Sequence, residues 1–174
     1  MELEERIKLM IRDVPDFPKK GIIFKDITPL LADPVLSRKI TGALHQQWSH
    51  QPPDGVIGIE SRGFIFGMLL AQLFNVPFYP VRKAGKLPYM TYKHAYELEY
   101  GSAEMEIHTD AVQKGMRILI HDDLLATGGT AVAAAELVRK SGGEVCGYSF
   151  LVELSFLNGR KQLNGSPIHS LVSY

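Results

Sequence analysis

The stretch from residue 117 to residue 130, RILIHDDLLATGGT, constrains the fold of this chain more than any other. Arg117–His121 has the apolar character of a buried strand in a parallel sheet. Two acids and a small-residue turn, Ala126–Gly129, come next, and an alanine-rich helix is predicted over Thr130–Ser141. This order of strand, turn and helix predicts one unit of an α/β fold with a mainly parallel sheet.

The turn before that helix has the features of a phosphate-binding site. Glycines allow a sharp bend and leave backbone N–H groups uncovered, and threonine hydroxyls add further donors. A helix N-terminus also carries unpaired N–H groups and a partial positive charge. The predicted phosphate-binding residues are Ala126, Thr127, Gly128, Gly129 and Thr130. The alternative is an ordinary capped strand–turn–helix that binds no ligand, since Asp, Thr and Gly are favoured at such turns.

The two acids, Asp122 and Asp123, indicate which phosphate compound would bind. A P-loop would need a lysine in the turn, so a nucleoside triphosphate is disfavoured, and the Rossmann glycine pattern is missing too. Two carboxylates just ahead of a monophosphate site can accept hydrogen bonds from the vicinal hydroxyls of a ribose. A 5-phosphoribosyl group combines both features.

At this point the sequence resembles a known family. The segment DDLLATGGT is similar to the phosphoribosyl-diphosphate (PRPP) motif of type I phosphoribosyltransferases, in the form found in the members that use adenine. Further segments match that family in order and approximate spacing over nearly the whole chain: Asp16–Leu31, Glu60–Phe64, Arg82–Pro88, Tyr96–Gly101 and Val152–Leu154. The resemblance implies a mainly parallel central sheet flanked by helices. It also implies a single domain over residues 1–174, in which residues 1–34 contribute a small hood.

Composition agrees with a soluble globular domain. The 174 residues are 45% hydrophobic, enough for one substantial core. Nineteen basic and nineteen acidic side chains cancel, so we expect neither a nucleic-acid nor a membrane partner. The single cysteine, Cys146, cannot form an internal disulfide and is expected in the core, and the acidic N-terminal helix does not resemble a signal peptide. These features predict a cytoplasmic protein.

Periodicity and turn residues predict the other elements. Helices are expected over Glu2–Arg12, from the Asp33-Pro34 cap to about Trp48, over Gly63–Phe74 and near 157–163. An extended piece at Ile22–Phe24 and strands at Val56–Ile59, Phe78–Val81, Ala103–His108, Val145–Leu154 and 170–173 are expected, with loops at Asp13–Gly21 and Arg82–Ala95. Because ligands bind beyond the carboxyl ends of parallel strands, the loops Glu60–Gly63 and Asp122–Gly129 should line one cleft.

PRPP carries a diphosphate as well as a 5-phosphate, so a second anion site is needed. The candidates are Ser61, Arg62, Arg82, Lys83, Lys86 and Tyr100. A guanidinium fork with backbone N–H groups suits Arg62, for which the alternative is a surface position near a helix start. The other three cations would otherwise be a solvated charge run. Mg²⁺ normally accompanies diphosphate and is bound through phosphate oxygens and water, so no all-protein metal site is expected.

Catalysis is assigned by resemblance. Glu99, in the motif YELEYG, would take the proton that adenine loses, and Arg62 is the second predicted catalytic residue. Without the resemblance, Glu99 would read as an exposed strand residue. The segment Arg82–Gly101 is the candidate lid over PRPP. Glu104 and Glu106 alternate along a strand and are expected on its exposed face.

The resemblance also implies the base-binding residues. Phe24 would stack on adenine, the backbones of Ile23 and Lys25 would read its Watson–Crick edge, and Leu154 would press on the other face. Core packing is the alternative for Phe24. His121 stands where the family usually has an apolar residue, commonly Val, and is expected to be a core histidine with an internal hydrogen bond.

Together these features predict that adenine and PRPP are converted to AMP and diphosphate, a purine-salvage step. The resemblance further implies a homodimer, with Arg82 acting across the interface, and a cis peptide bond preceding Arg62. Two alternatives stay open: an enzyme for 6-oxopurines, and a PRPP-sensing regulator without turnover. The regulator is disfavoured because the chain starts with an acidic helix and has no net charge.

Overall fold

A computed structural model describes residues 2–97, 102–163 and 165–174 of the chain. The chain forms two compact units, residues 1–43 and residues 44–174.

The first unit contains a short hairpin between helices. Helix α1 (Leu3–Met10) leads into strands β1 (Arg12–Pro15) and β2 (Ile23–Asp26), which pair antiparallel. Helix α2 (Thr28–Leu31) and the start of α3 (Pro34–Gln46) complete it. The buried apolar side chains are Ile7, Ile11, Ile27, Leu30, Leu36 and Ile40.

Two expectations for this unit have different outcomes. The predicted cap of α3 is confirmed, because Asp33 Oδ1 accepts the N–H groups of Val35 at 3.0 Å and Leu36 at 2.9 Å. The expectation of a loop over Asp13–Gly21 is wrong at its start, where β1 forms. That strand depends on pairing with β2, which local sequence does not reveal.

Within the described residues, the second unit is built on a seven-stranded sheet in the order β5–β6–β4–β3–β7–β8–β9. The strands are β3 (Gly55–Ile59), β4 (Phe78–Lys83), β5 (Thr91–Glu97), β6 (Ser102–His108), β7 (Arg117–Leu125), β8 (Glu144–Glu153) and β9 (Ile168–Ser173). Neighbours are parallel except where β6 pairs antiparallel with β4 and β5. This confirms the predicted α/β class with a mainly parallel sheet.

Helices cover both faces of the sheet. Helix α5 (Gly129–Lys140) shares a buried cluster with Ile57 and Ile59 of β3, whereas Gly58 between them contacts α4 (Gly63–Phe74). Alternate residues of a strand point to opposite faces, so the two helices lie on opposite sides of β3. The approach of α4 is close, since a Cβ at Gly67 would come within 3.5 Å of the Gly58 Cα. Two 3₁₀ helices, Ser155–Leu157 and Gly159–Gln162, follow β8.

The segment Arg82–Ala95, predicted as one long loop, contains a strand. β5 pairs with β6 from Thr91 opposite His108 to Glu97 opposite Ser102. Tyr92 and Tyr96 pack against the core cluster. The loop prediction was wrong for Thr91–Ala95, because this strand forms by pairing with β6, which local sequence does not reveal.

β7 and β6 also differ from expectation. β7 does not end at His121 but continues through both acids to Leu125, because its pairing with β8 extends to Leu125 opposite Glu153. On β6, Glu104 is exposed as predicted, but Glu106 is 2% exposed and the prediction for it was wrong.

In the part of the chain that the structure describes, no helix combines the length and apolar character needed to cross a bilayer.

His121 is a core histidine, as predicted. The side chain is fully buried, and a hydrogen bond of 3.2 Å joins its Nδ1 to Ser149 Oγ. Burial lowers its pKa from 6.5 to about 3, although a hydrogen bond with Ser149 opposes the shift, so the ring is neutral at pH 7. Cys146 is half-buried, and burial raises its pKa to about 11, so its thiol is not activated.

The buried histidine makes stability depend on pH. Because the folded-state pKa lies below the unfolded value, unfolding takes up a proton, and stability is lost as the pH falls from 6.5 towards 3. Between pH 7 and pH 5 this loss is about 2 kcal/mol. We expect His121→Val to remove it. Urea unfolding at the two pH values measures the difference, and His50→Gln at an exposed histidine is the control. An equal loss in His121→Val and the wild type would contradict this account.

Candidate active site

The site residues meet where β3 and β7 end side by side. β3 is followed by α4 and then β4 on one side, while β7 lies on its other side. Adjacent parallel strands whose connections leave in opposite directions open a crevice beyond their carboxyl ends, where ligands bind in such folds. The loop Glu60–Gly63 and the segment Asp122–Gly129, which holds the last residues of β7 and the following turn, both border that crevice.

Direct contacts confirm that the two loops come together. A Cβ at Gly63 would lie 2.9 Å from Asp122 Oδ1 and 2.9 Å from the His121 carbonyl oxygen, so the backbone of the first loop touches the second. Only glycine permits this approach. Arg62 Nε forms an ion pair of 3.0 Å with Asp123 Oδ2. The two predicted segments are therefore adjacent.

Burial of the two aspartate side chains is unfavourable for their charged forms. Asp123 is 4% exposed, and its N–H donates to Asp122 Oδ1 at 2.9 Å. Burial and the charge of Asp123 raise the pKa of Asp122, and burial also raises that of Asp123 against the opposing Arg62 charge. Two close, partly dehydrated carboxylates are stabilised by any ligand that donates hydrogen bonds to them. The hydroxyls of a ribose are such donors.

The turn between β7 and α5 has the geometry of an anion site. Gly128 is the N-cap of α5 with φ 91°, a conformation that favours glycine, and the helix begins at Gly129. The first N–H groups of a helix lack intrahelical partners and point outward. Ala126, Gly129 and Thr130 are half-buried and Thr127 is exposed.

A second segment backs this turn. A Cβ at Gly128 would lie 2.8 Å from the Gly159 carbonyl oxygen, and one at Gly159 would lie 2.3 Å from the Ala126 carbonyl oxygen. Residue 159 is held in place by its neighbour Arg160, which forms a bidentate ion pair with buried Glu153 at 2.7 Å for both contacts. Sequence reasoning missed this pair, although Glu153 lies in the matched segment Val152–Leu154.

Two of the predicted cationic side chains, those of Arg82 and Lys86, contact a carboxylate to which the sequence analysis gave no role. Glu60 Oε1 accepts hydrogen bonds from Lys86 Nζ at 2.7 Å and Arg82 at 3.2 Å, and Oε2 accepts the Lys83 N–H at 3.0 Å. Burial raises the pKa of Glu60, but these partners lower it to about 2 overall. Two cationic side chains against one carboxylate leave an excess of one positive charge. Its position directly after a buried strand, where ligand-binding residues are expected, was the feature of the sequence that could have identified Glu60.

The remaining predicted residues are placed as follows. Ser61 is exposed. The cis peptide bond was expected directly before Arg62, but it lies one bond earlier, between Glu60 and Ser61. Glu99 and Tyr100 lie outside the described residues.

The predicted base-binding residues lie in both units. In the first, the Phe24 ring meets Phe17 edge-on with centroids 5.1 Å apart, Ile23 is 55% exposed, and Lys25 Nζ donates to Asp13 at 2.7 Å. In the second, Leu154 is half-buried, directly after β8.

Among the residues that the structure describes, no group of three or more His, Cys, Asp or Glu side chains is arranged to hold a metal ion. A magnesium ion carried by diphosphate oxygens and water needs no such group, and the cations around Glu60 suit the diphosphate. The donor set therefore fits Mg²⁺ bound through its ligand.

The contact between residue 159 and the turn gives a test of this packing. In Gly159→Ala the added methyl would overlap the Ala126 carbonyl oxygen, so we expect a loss of about 1–3 kcal/mol in the free energy of unfolding. Gly42→Ala is the matched control, because Gly42 lies in α3 with nothing within 4 Å of the new Cβ. It should gain up to about 1 kcal/mol. Urea denaturation measures the free energy of unfolding of both variants. An unchanged value for Gly159→Ala would show that residue 159 does not pack tightly against the Ala126 carbonyl oxygen.

Comparison with known proteins identifies the family. The sequence model described as Phosphoribosyl transferase domain matches residues 26–157. The adenine phosphoribosyltransferase of Anaeromyxobacter dehalogenans strain 2CP-C is 53% identical over 170 residues, which cover 98% of this chain and 99% of that protein.

Solved structures agree. The crystal structure of adenine phosphoribosyltransferase from Thermoanaerobacter pseudethanolicus has a TM-score of 0.97 at 51% identity, covering 99% of this chain and 100% of that one. The Saccharomyces cerevisiae enzyme, complexed with an imino-altritol bisphosphate and adenine, has a TM-score of 0.91 at 42% identity, covering 97% and 98%. The Arg62 loop after β3 contacts the acid pair of β7, just ahead of the glycine turn, and this chain belongs to the adenine phosphoribosyltransferases of the phosphoribosyltransferase family.

Proposed function

We propose that this chain transfers the 5-phosphoribosyl group of PRPP to adenine, giving AMP and diphosphate, as a step of purine salvage. The observation that carries the proposal is the contact of two loops at one crevice: the acid pair with its glycine turn, and the Arg62 loop. The names of the relatives and the adenine in the yeast complex support adenine as the base.

In this proposal the ribose phosphate lies along the end of β7. The backbone N–H groups of residues 126–130 and the threonine hydroxyls bind the 5-phosphate, aided by the positive end of α5. Asp122 and Asp123 accept hydrogen bonds from the ribose hydroxyls. The ring is thereby fixed at two points, which holds C1′ in a constant position for attack.

The diphosphate occupies the cationic side of the crevice. Arg62, Arg82, Lys83 and Lys86 bind it, together with Ser61 and Tyr100. These groups stabilise the charge that develops on the leaving diphosphate as the C1′–O bond breaks. Mg²⁺, held by the diphosphate and water, would neutralise part of the same charge.

The incoming base is held and deprotonated by residues from several segments. Phe24 stacks on adenine opposite Leu154, and the backbones of Ile23 and Lys25 read its N6 donor and N1 acceptor. A 6-oxopurine has the reversed pattern and would leave buried groups unpaired. Glu99 accepts the proton that adenine loses, and part of the segment Arg82–Gly101 closes over PRPP.

Some further assignments belong to the same proposal. The whole chain, residues 1–174, acts as one phosphoribosyltransferase domain in which residues 1–34 form the hood over the base. With zero net charge and a single cysteine, it works in the cytoplasm without nucleic-acid or membrane partners.

A homodimer is supported by the outer face of α4. Ile65, Met68, Leu69 and Leu73 are 37–52% exposed and recur at helical spacing, so they form one apolar stripe. We propose that this stripe packs against a second copy of the chain. Action of Arg82 across that interface stays a prediction, since here Arg82 binds Glu60 of its own chain.

The proposed reaction is tested by mixing the chain with PRPP, Mg²⁺ and one nucleobase at a time and measuring diphosphate release. We expect diphosphate release only when the added nucleobase is adenine. Glu99→Gln should lower kcat about 10²–10⁴-fold because a general base is lost. Glu104→Gln, at an exposed glutamate of β6, is the control with normal turnover. Release with hypoxanthine or guanine would indicate a 6-oxopurine enzyme, and no release with any base would favour the regulator.

The proposed dimer face is tested by Leu73→Glu, which places a charge in the apolar stripe. We expect light scattering to show a dimer for the wild type and a monomer for the variant, since a buried unpaired charge opposes association. Leu9→Glu, at a 75% exposed leucine of α1, should stay dimeric. A dimeric Leu73→Glu protein would place the interface elsewhere.

A further inference from the structure

Glu106 is a buried carboxylate to which the reaction described above gives no task. It lies on β6, between Arg82 of β4 and Lys93 of β5 in the strand register, and only 2% of it is exposed. Removing a carboxylate from water is costly unless hydrogen bonds replace the lost hydration. The hydrogen-bond partners of Glu106 therefore indicate its structural role.

Those partners lie in the turn between β4 and β5 and at the first residue of β5. Glu106 Oε1 accepts the backbone N–H groups of Lys86 and Leu87, both at 2.8 Å, and Oε2 accepts the Thr91 hydroxyl at 3.2 Å. Gly85 precedes them with φ 85°, a conformation suited to glycine. Burial raises the pKa of Glu106, but backbone hydrogen bonds from Leu87, Gly85 and Lys86 lower it overall, so the side chain is ionised at neutral pH.

Lys86 connects this carboxylate to the cation cluster. Its backbone N–H binds Glu106, whereas its Nζ binds Glu60 at 2.7 Å. Its carbonyl oxygen accepts a hydrogen bond from Arg82 at 3.1 Å. Glu106 thus fixes the backbone of Lys86, and Glu60 fixes the direction of its ammonium group. The Lys86 side chain is 48% exposed.

We infer that Glu106 is a positioning residue for the diphosphate half of PRPP. It acts through the backbone of residues 86 and 87 to hold the Lys86 ammonium group at the crevice. The inference rests on the proposed function, because it takes Lys86 as a diphosphate ligand. A charged acceptor makes stronger hydrogen bonds to backbone amides than a neutral one, which explains a glutamate at this position.

β6 supplies a matched control. Glu104 lies two residues away on the same strand and is exposed. Glu104→Gln and Glu106→Gln each remove one negative charge from nearby positions of the same strand, but only the second removes the ionised acceptor of the turn. Any long-range effect of lost negative charge on anion binding should therefore appear equally in both variants.

The experiment measures, by calorimetry on the full chain, the Kd of diphosphate with Mg²⁺ and the Kd of AMP. We expect Glu106→Gln to weaken diphosphate about tenfold, since charged hydrogen bonds are lost, and to leave AMP within about twofold. Glu104→Gln should match the wild type for both ligands. In a Lys86→Ala background, Glu106→Gln should have no further effect on diphosphate, because the two residues act in series.

Each other outcome has a distinct meaning. Equal weakening of AMP and diphosphate in Glu106→Gln would show a merely structural role and overturn the inference, as would unchanged diphosphate binding while Lys86→Ala is defective. Unchanged binding in Lys86→Ala would instead remove Lys86 from the proposed diphosphate site, and the inference with it. If Glu106→Gln does not fold, Thr91→Val removes one hydrogen bond only and should weaken diphosphate about threefold without affecting AMP.

Discussion

Most of the site depends on the contact between the ends of β3 and β7. A pair of carboxylates can be buried there only if charge and hydrogen bonds compensate for the lost water. Arg62 supplies the charge through its ion pair with Asp123, and Gly63 supplies the room for the two loops to touch. Because the same contact brings an arginine beside the acids, the groups that suit a ribose and those that suit a diphosphate lie next to each other.

Buried glutamates then set the loops around this contact. Glu60 binds the side chains of Arg82 and Lys86, and Glu106 holds the backbone from which Lys86 projects. Glu153 binds Arg160, whose neighbour Gly159 packs against the turn 126–130. Each is ionised, because its hydrogen bonds outweigh the cost of burial and lower its pKa. The loops can therefore bear donors and cations for a ligand while their own backbones stay fixed, which is the preorganisation that a transferase needs.

Local sequence predicts the parts of this arrangement whose causes are local. The bounds of α4 match the prediction because an apolar run starts at Gly63 and ends before Asn75, which takes the left-handed conformation of a helix end. The glycine turn and α5 were found for the same reason. β5 was missed because it forms by pairing with β6. Glu106 was misplaced because its partners are two backbone N–H groups and one hydroxyl that lie 15–20 residues away in sequence. Family resemblance supplied the base-binding and catalytic residues, for which periodicity gives no signal.

The central claim is that a sugar 5-phosphate sits on the turn 126–130 while Asp122 and Asp123 hold the ribose hydroxyls. A crystal structure of the chain with AMP tests it most directly. The account predicts phosphate oxygens about 2.7–3.2 Å from the backbone nitrogens of that turn and both hydroxyls hydrogen-bonded to the acids. A nucleotide bound elsewhere, with the crevice between β3 and β7 empty, would contradict it.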